Sequence, residues 1–170
     1  MRKNLTIAQF GDFLREPWCA TLATYRSDGT VLLSPVWHEW VDGGFNVVTL
    51  ATDVKAKHLR RDPRAGLVVA ENSPPYRGIE VSARAVLRDD PGCRTLTRIA
   101  VRYLGAERGE AYARAAAAEA LVVIRHRAGP PTNLGLRGRT RLTHRRKEKL
   151  KLTRADQGTP LERAAVEARR

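Results

Sequence analysis

Two lysines open the part of this sequence that is best suited to binding an anion. Lys55 and Lys57 lie within TLATDVKAKHLRRDP, residues 49–63, where a strand-like run passes into a short helix that must end before Pro63. The sequence predicts Thr52 as the N-cap, which places Lys55 in the first helical turn. A cation is unfavourable there, because the helix N-terminus already carries partial positive charge. The arrangement becomes favourable if Thr52, the N–H groups of this turn and Lys55 together hold a phosphate or a carboxylate.

A local ion pair is the alternative explanation for Lys55. Asp53 could neutralise it, which would leave the helix as a solvated connector. The chain has 25 Arg and 6 Lys, and only three lysines precede residue 126, so two lysines here favour a site that needs compact ammonium charges. Lys57, Arg60 and Arg61 fall on one helix face at i, i+3 and i+4, where they could bind a polyanionic ligand or simply be solvated.

Other catalytic or metal-binding patterns are not evident. His38 and His58 have no cysteine or carboxylate partner at metal or triad spacing, so we expect surface histidines. Cys19 and Cys93 form neither a disulfide framework nor a zinc pattern, which predicts reduced thiols and a cytoplasmic protein. We expect no secretory signal and no membrane span, because no apolar run has the required length.

The net charge of +13 is concentrated at the C-terminal end. Residues 1–125 carry a net charge of +4, whereas residues 126–170 carry +9. We therefore predict a folded domain over 1–125 and a basic, disordered tail over 126–170. The tail has no Phe, Trp or Tyr that could stack on bases, so nucleic-acid binding by the tail is not expected.

Short strands joined by turns must position the candidate site. Apolar and β-branched runs, separated by Gly, Asp, Asn and Pro, predict six antiparallel strands, with helices over 91–103 and 107–118. This pattern is typical of a mainly β fold that closes as a small antiparallel barrel. The predicted strands span 18–25, 31–41, 45–50, 65–71, 78–87 and 121–125.

Three segments between Gly29 and Leu87 resemble a known family. GTVLLSPVWHEW, VKAKHLRRDPRAGLVV and PPYRGIEVSARAVL are similar to the pyridoxamine 5′-phosphate oxidase-like split-barrel flavoproteins, and most of all to their deazaflavin-dependent branch. The resemblance covers roughly residues 5–125. It implies a six-stranded antiparallel split β-barrel that forms a homodimer and binds flavin-type cofactors at the dimer interface.

The resemblance also implies which residues bind the cofactor. Lys55 would hold the phosphate with Thr52 and Lys57 close by, and a strand segment would lie along the ring, although Trp37 could instead belong to the core or an interface. Lys57, Arg60 and Arg61, which lie on one face of this short helix, would suit the polyglutamate tail of a deazaflavin. The implied set is Lys55, Thr52, Lys57, Ser34, Pro35, Val36, Trp37, Thr49, Arg60, Arg61 and Tyr76.

The implied activity is hydride transfer between a bound cofactor and a small organic substrate. The favoured cofactor is coenzyme F420, a deazaflavin, with FMN as the second candidate. No catalytic side chain is identified, as expected when the cofactor supplies the chemistry. The alternative is a non-catalytic flavin- or haem-binding protein that serves storage or sensing.

Overall fold

The computed structural model describes residues 12–73 and 77–127. Within this part, the chain is mainly β with three α-helices, as predicted. The predicted C-terminal tail, from residue 128 onward, lies outside the described residues. In chain order the elements are β1 (Ala20–Tyr25), β2 (Val31–Val36), β3 (Glu39–Val41), β4 (Gly44–Leu50), α1 (Val54–Arg61), β5 (Arg64–Ala70), β6 (Gly78–Arg84), β7 (Val86–Asp89), α2 (Arg94–Leu104), α3 (Ala106–Ala115) and β8 (Leu121–Arg127).

The first sheet has the antiparallel strand order β2-β1-β5-β6. Alternation along β1 sends Leu22 and Thr24 into the protein, whereas Thr21 and Ala23 lie on the opposite face. β2 forms one edge of this sheet and contains the exposed Pro35. Proline is tolerated there because an edge strand has a side on which no backbone N–H is needed for the ladder.

The second sheet has the order β3-β4-β8-β7, also antiparallel. β8 is buried along nearly its whole length, and β4 pairs with it from Gly44↔Arg127 to Leu50↔Leu121. A Cβ at Gly44 would lie 2.6 Å from the His126 carbonyl oxygen, so only glycine allows this close approach. β8 ends two residues beyond the predicted domain boundary at 125.

The predicted count of six strands is not confirmed, because two of the predicted strands divide between the sheets. The run 31–41 leaves the first sheet after Val36 and enters the second at Glu39, and the run 78–87 changes sheets at Ala85. At these corners, the His38 N–H donates to the Tyr103 hydroxyl at 3.2 Å and the Ala85 N–H to the Pro63 carbonyl at 2.7 Å. Strands that bend from one sheet into another are the usual way to form such corners. The described residues thus form eight strands in two four-stranded sheets, an arrangement consistent with a split barrel.

The apolar core lies between the two sheets and also includes residues that precede β1. Its largest fully buried side chains come from strands of both sheets and, with Phe13, from the segment before β1. α1 packs against β1, β4 and β7, and so closes one side of the core. Among the described residues, no helix combines the length and the apolar composition needed to cross a bilayer. The core side chains with almost no exposed surface include Phe13, Leu22, Phe45, Val47, Leu67, Val69, Ile79 and Ile124.

Candidate functional site

The helix that carries the candidate anion site begins one residue later than predicted. Asp53, in extended backbone conformation, is the N-cap of α1, and its Oδ1 accepts the Lys55 N–H at 2.8 Å. The prediction of Thr52 as the N-cap was wrong: both residue types cap helices well, but it is the Asp53 side chain that reaches the first turn. Thr52 lies before the helix and is exposed. The predicted end before Pro63 is confirmed, with Asp62 as the C-cap.

Lys55 lies in the first turn of α1, as predicted, and it is buried. Its Nζ is 3.0 Å from Asp53 Oδ2, and the side chains of Lys55 and Asp53 are only 9% and 3% exposed. The Asp53 carboxylate therefore makes two contacts with one residue: it caps the Lys55 N–H and pairs with the Lys55 ammonium. The local ion pair considered in the sequence analysis is present, and the charges of the pair sum to zero.

Contacts along the rest of α1 fix the helix on the sheets. The His58 Nδ1 is 3.0 Å from the Thr24 hydroxyl on β1, and Leu59 is buried in the core. Arg60 donates to the Ala51 carbonyl at 2.6 Å, and Arg61 to the carbonyl of Tyr25. These two arginines, suggested as contacts for a polyanionic tail, each use part of the guanidinium to hold the backbone. The Lys57 side chain is exposed.

The strand segment proposed to lie along the cofactor ring, residues 34–37, contains both buried and exposed residues. Ser34 and Val36 are buried, whereas Pro35 is exposed at the edge of the sheet. The Trp37 ring stacks on Tyr103, with ring centroids 5.0 Å apart and planes inclined by 12°, and it also contacts Tyr112. One face of Trp37 is thus covered by the protein itself, which matches the core or interface role that the sequence left open.

The structure brings only some of the predicted site residues together. Thr49, Thr52 and Lys55 belong to one continuous segment from β4 into α1, in which Thr49 is buried. Ser34 lies in β2, which pairs with β1 next to the position where α1 contacts β1. Tyr76 lies outside the described residues, so its predicted role stays a prediction.

The expectation of surface histidines was wrong. His58 is 7% exposed and His38 is fully buried, and neither His38 ring nitrogen has a hydrogen-bond partner among the described residues. Burial, and to a lesser extent the nearby Arg102 guanidinium, lower the pKa of His38 from 6.5 to about 4. Two aromatic rings pack edge-on against the imidazole: the distance between ring centroids is 5.0 Å for Phe45 and 6.3 Å for Tyr103. No sequence pattern separated these histidines from exposed ones, because the burial of His38 depends on where the strand changes sheets and that of His58 on the packing of α1 against β1.

A concave surface on the outer face of the first sheet was missed by the sequence analysis. This outer trough has a volume of about 530 Å³. Its floor is a row of small residues in register across three strands, Ala23↔Gly66↔Ser82, next to Leu33 on β2. The signal was available in the outward positions of β2, which carry Val31 and Leu33 where a solvated face needs polar residues. The trough is lined by Thr21, Ala23, Tyr25, Val31, Leu33, Arg64, Ala65, Gly66, Val68, Glu80, Ser82, Ala83 and Arg84.

The hydrogen-bond donors at the start of α1 are of the chemical type that binds a phosphate group. A buried ammonium, the N–H groups of a helical first turn and the nearby exposed Lys57 are the groups that proteins use to bind phosphate. Asp53 competes for two of these donors, since it already accepts from the Lys55 N–H and Nζ. These donors are of the type that binds phosphate, and the Asp53 carboxylate lies directly beside them. Among the described residues, no three His, Cys, Asp or Glu side chains come together as a metal site.

Comparisons with known proteins agree with this fold. The sequence model of the pyridoxamine 5′-phosphate oxidase family matches residues 7–129. The structure is similar to that of the conserved hypothetical protein Rv2991 from Mycobacterium tuberculosis, with a TM-score of 0.64 and 26% identity over 75% of this chain and 84% of that chain. No curated protein matches the sequence.

Two further structures share the fold at lower identity. A protein named F420 reductase has a TM-score of 0.56 and 22% identity over 69% of this chain and 90% of that chain. HutZ, the haem storage protein from Vibrio cholerae, has a TM-score of 0.53 and 15% identity over 72% of this chain and 91% of that chain. The family model covers well over half of the sequence, and the chain therefore belongs to the pyridoxamine 5′-phosphate oxidase family.

Proposed function

We propose that this protein is an oxidoreductase that binds coenzyme F420, or in second place FMN, and transfers hydride between the cofactor and a small organic substrate. The observation that carries the proposal is the buried ammonium of Lys55 in the first turn of α1, within a chain of this family. A lysine in that position is unfavourable for an isolated helix and becomes useful when an anion binds there. The similar fold of F420 reductase supports the choice of a deazaflavin.

In this proposal, side chains of the protein bind and orient the cofactor, which supplies the hydride chemistry when bound. Lys55 and the first-turn N–H groups hold the phosphate, and the exposed Lys57 adds positive charge nearby. Thr49 and Thr52, on the segment that leads into α1, border the same site. The segment Ser34–Trp37 and Tyr76 keep the ring-binding roles that the family resemblance implies, with Trp37 also packed on α2.

We also propose that the protein is a homodimer and that the outer trough forms its interface. Val31, Leu33 and Val68 lie on this face and are 44%, 64% and 42% exposed, although each is a large apolar side chain. Contiguous exposed apolar surface of this kind is typical of interaction sites. The small residues of the trough floor allow the close approach of a second copy.

The charges beside the trough are suited to a twofold contact. Glu80 and Arg84 both point outward from β6, on either side of Ser82. A twofold axis that passes near Ser82 would bring Glu80 of each copy towards Arg84 of the other, because an isologous interface pairs residue i with j and j with i.

Substitution of Leu33 by Glu tests the dimer. We expect Leu33→Glu to sediment as a folded monomer, because the side chain is 64% exposed in the single chain and its replacement leaves the core intact. Val86→Glu is the matched control, since Val86 is 50% exposed but lies in β7 of the second sheet. A Leu33→Glu protein that sediments as the wild type would show that this face is not the interface.

Cofactor binding is tested with two variants that both lack the Asp53 carboxylate and differ only at Lys55. Lys55→Ala alone would leave the Asp53 carboxylate buried beside an empty position, which destabilises the fold by itself. We therefore compare Asp53→Asn with the double variant Asp53→Asn/Lys55→Gln, in which Asn still caps the helix. The loss of Lys55 should weaken F420 binding by about 1.5–3 kcal/mol, the usual contribution of a charged hydrogen bond. Equal F420 affinities of the two variants would remove the proposed role of Lys55.

Turnover separates an oxidoreductase from a storage or sensor protein. The complex with reduced F420 is mixed with a panel of electron acceptors, and cofactor oxidation is followed by absorbance. Oxidation that depends on both the protein and an acceptor supports the enzyme. Tight binding that leaves the oxidation rate at the level of free cofactor would indicate storage or sensing instead.

A further inference from the structure

We propose that Asp53 sets the charge preference of the α1 site, favouring monoanionic phosphodiesters over dianionic phosphomonoesters. The inference rests on the proposed function, since it concerns the same phosphate position. It assigns a specificity role to a side chain that would otherwise count only as a helix cap.

The inference starts from the fixed position of the carboxylate. Asp53 is held by two contacts, to the Lys55 N–H at 2.8 Å and to the Lys55 Nζ at 3.0 Å, and its side chain is 3% exposed. A phosphate that binds to Lys55 and the first turn must therefore share this ammonium with a buried carboxylate. The negative charge of Asp53 acts on every anion placed there, and little water is available to screen it.

Coulomb repulsion scales with the charge of the ligand. A phosphomonoester such as FMN carries nearly two negative charges at neutral pH, because its second pKa is about 6. A phosphodiester carries one, and the phosphate of F420 is a diester. The repulsion from Asp53 thus acts about twice as strongly on FMN as on F420, independently of any difference between the rings.

Helix capping alone does not require the charge of Asp53. Asn and Ser cap helices about as well as Asp, so either residue keeps the cap of α1, although the loss of the pair with the buried Lys55 lowers the stability of the fold. A purely structural role therefore predicts that the neutral variants are less stable but keep the same relative affinities for monoanionic and dianionic ligands. A role in charge selection predicts a change in ligand preference.

The test uses two ligands that share a ring and differ in phosphate charge. FMN and the cyclic phosphate diester of riboflavin are titrated into the full-length wild type and into Asp53→Asn, and binding is followed by flavin fluorescence. Each affinity is compared between variants, so that intrinsic differences between the two ligands cancel. Asp53→Ser is a second neutral cap in case the first variant folds poorly.

Asp62→Asn is the matched control. It removes a carboxylate from the opposite end of the same helix, where Asp62 pairs with Arg64 at 2.7 Å. The eight residues of α1 place this carboxylate about 12 Å from the first turn, beyond the range of strong Coulomb effects in salt. We expect Asp62→Asn to change neither affinity by more than about twofold.

We expect Asp53→Asn to bind the diester about threefold more tightly than the wild type and FMN about tenfold more tightly, since the gain for the dianion is the square of the gain for the monoanion. An equal gain for both ligands, or none, would overturn the proposal, and it would leave the proposed function intact if F420 still binds. If neither F420 nor either flavin binds to any variant, the proposed function fails and the inference fails with it.

Discussion

Acid titration of the buried His38 should lower the stability of this protein well above the pH at which carboxylates titrate. The imidazole is fully buried, and the structure offers neither ring nitrogen a partner among the described residues. Burial lowers its pKa from 6.5 to about 4. The folded protein therefore resists a proton that the unfolded chain accepts readily.

The sign and size of the effect follow from proton linkage. Between pH 6.5 and about 4, the unfolded state binds more protons at this position than the folded state, so stability is full above pH 6.5 and falls as the pH is lowered. Each pH unit in this window lowers the free energy of unfolding by ~1.36 kcal/mol, which amounts to about 3 kcal/mol in total. His58 and His126 have lowered pKa values as well, also mainly because of burial, and they act in the same direction.

The assay compares the wild type with His38→Gln by urea unfolding from pH 4 to 7.5, followed by tryptophan fluorescence. Glutamine has a similar volume and does not titrate, so the variant removes the contribution of His38 alone. We expect the two curves of stability against pH to differ in slope by up to ~1.4 kcal/mol per pH unit inside the window and to run parallel above it. His38→Leu is a second variant. Its absolute stability should differ from that of His38→Gln, but its stability should depend on pH with the same slope. Parallel curves over the whole range would refute the reasoning.

Two further substitutions test how the helices attach to the sheets. Glu39→Gln weakens the ion pair between Glu39 and Arg98 of α2. We expect chemical denaturation to show that the free energy of unfolding falls by about 1–2 kcal/mol, a modest value because Arg98 is 56% exposed to solvent. Glu110→Gln, in an exposed pair on α3, should change stability by less than about 0.5 kcal/mol. Gly109→Ala would place a Cβ into the backbone of Val101 where α3 meets α2, and should lower stability by about 2–3 kcal/mol. Gly66→Ala, whose Cβ would be 3.7 Å from its nearest neighbour, should cost less than about 1 kcal/mol, and equal effects at the two glycines would contradict the packing described here.

Local patterns were sufficient for much of the fold. The end of α1 before Pro63 and the burial of Leu59 follow from helix chemistry and periodicity. The end of α2 at Gly105, with φ of 83°, follows from the freedom of glycine in this region. Each of these features depends on residues that are neighbours in the sequence.

Features that depend on distant parts of the chain could not be predicted in this way. The run 31–41 carries no turn signal at Trp37 and His38, where the chain passes from one sheet to the other, so a single long strand was expected. The burial of His38 follows from that corner and from its packing against Phe45 and Tyr103. The outer trough exists only because small residues from separate strands come into register.

The candidate site was predicted in outline, and its detail depended on one side chain. Lys55 was placed in the first turn of a helix, as found. The residue pattern left two states open, a lysine that awaits an anion and a lysine paired with Asp53. Thr52 and Asp53 are adjacent and both suited to capping, so sequence reasoning could not decide which carboxylate or hydroxyl reaches the helix. The structure selects Asp53, and with it the buried pair.

The central claim is that the first turn of α1 holds the phosphate of the cofactor. A crystal structure of the protein with bound F420 tests it most directly. The account predicts that a phosphate oxygen accepts hydrogen bonds from Lys55 and from first-turn N–H groups, with Asp53 still at the N-cap. F420 bound elsewhere on the protein, with the Lys55–Asp53 pair unchanged and no anion at the start of α1, would contradict it.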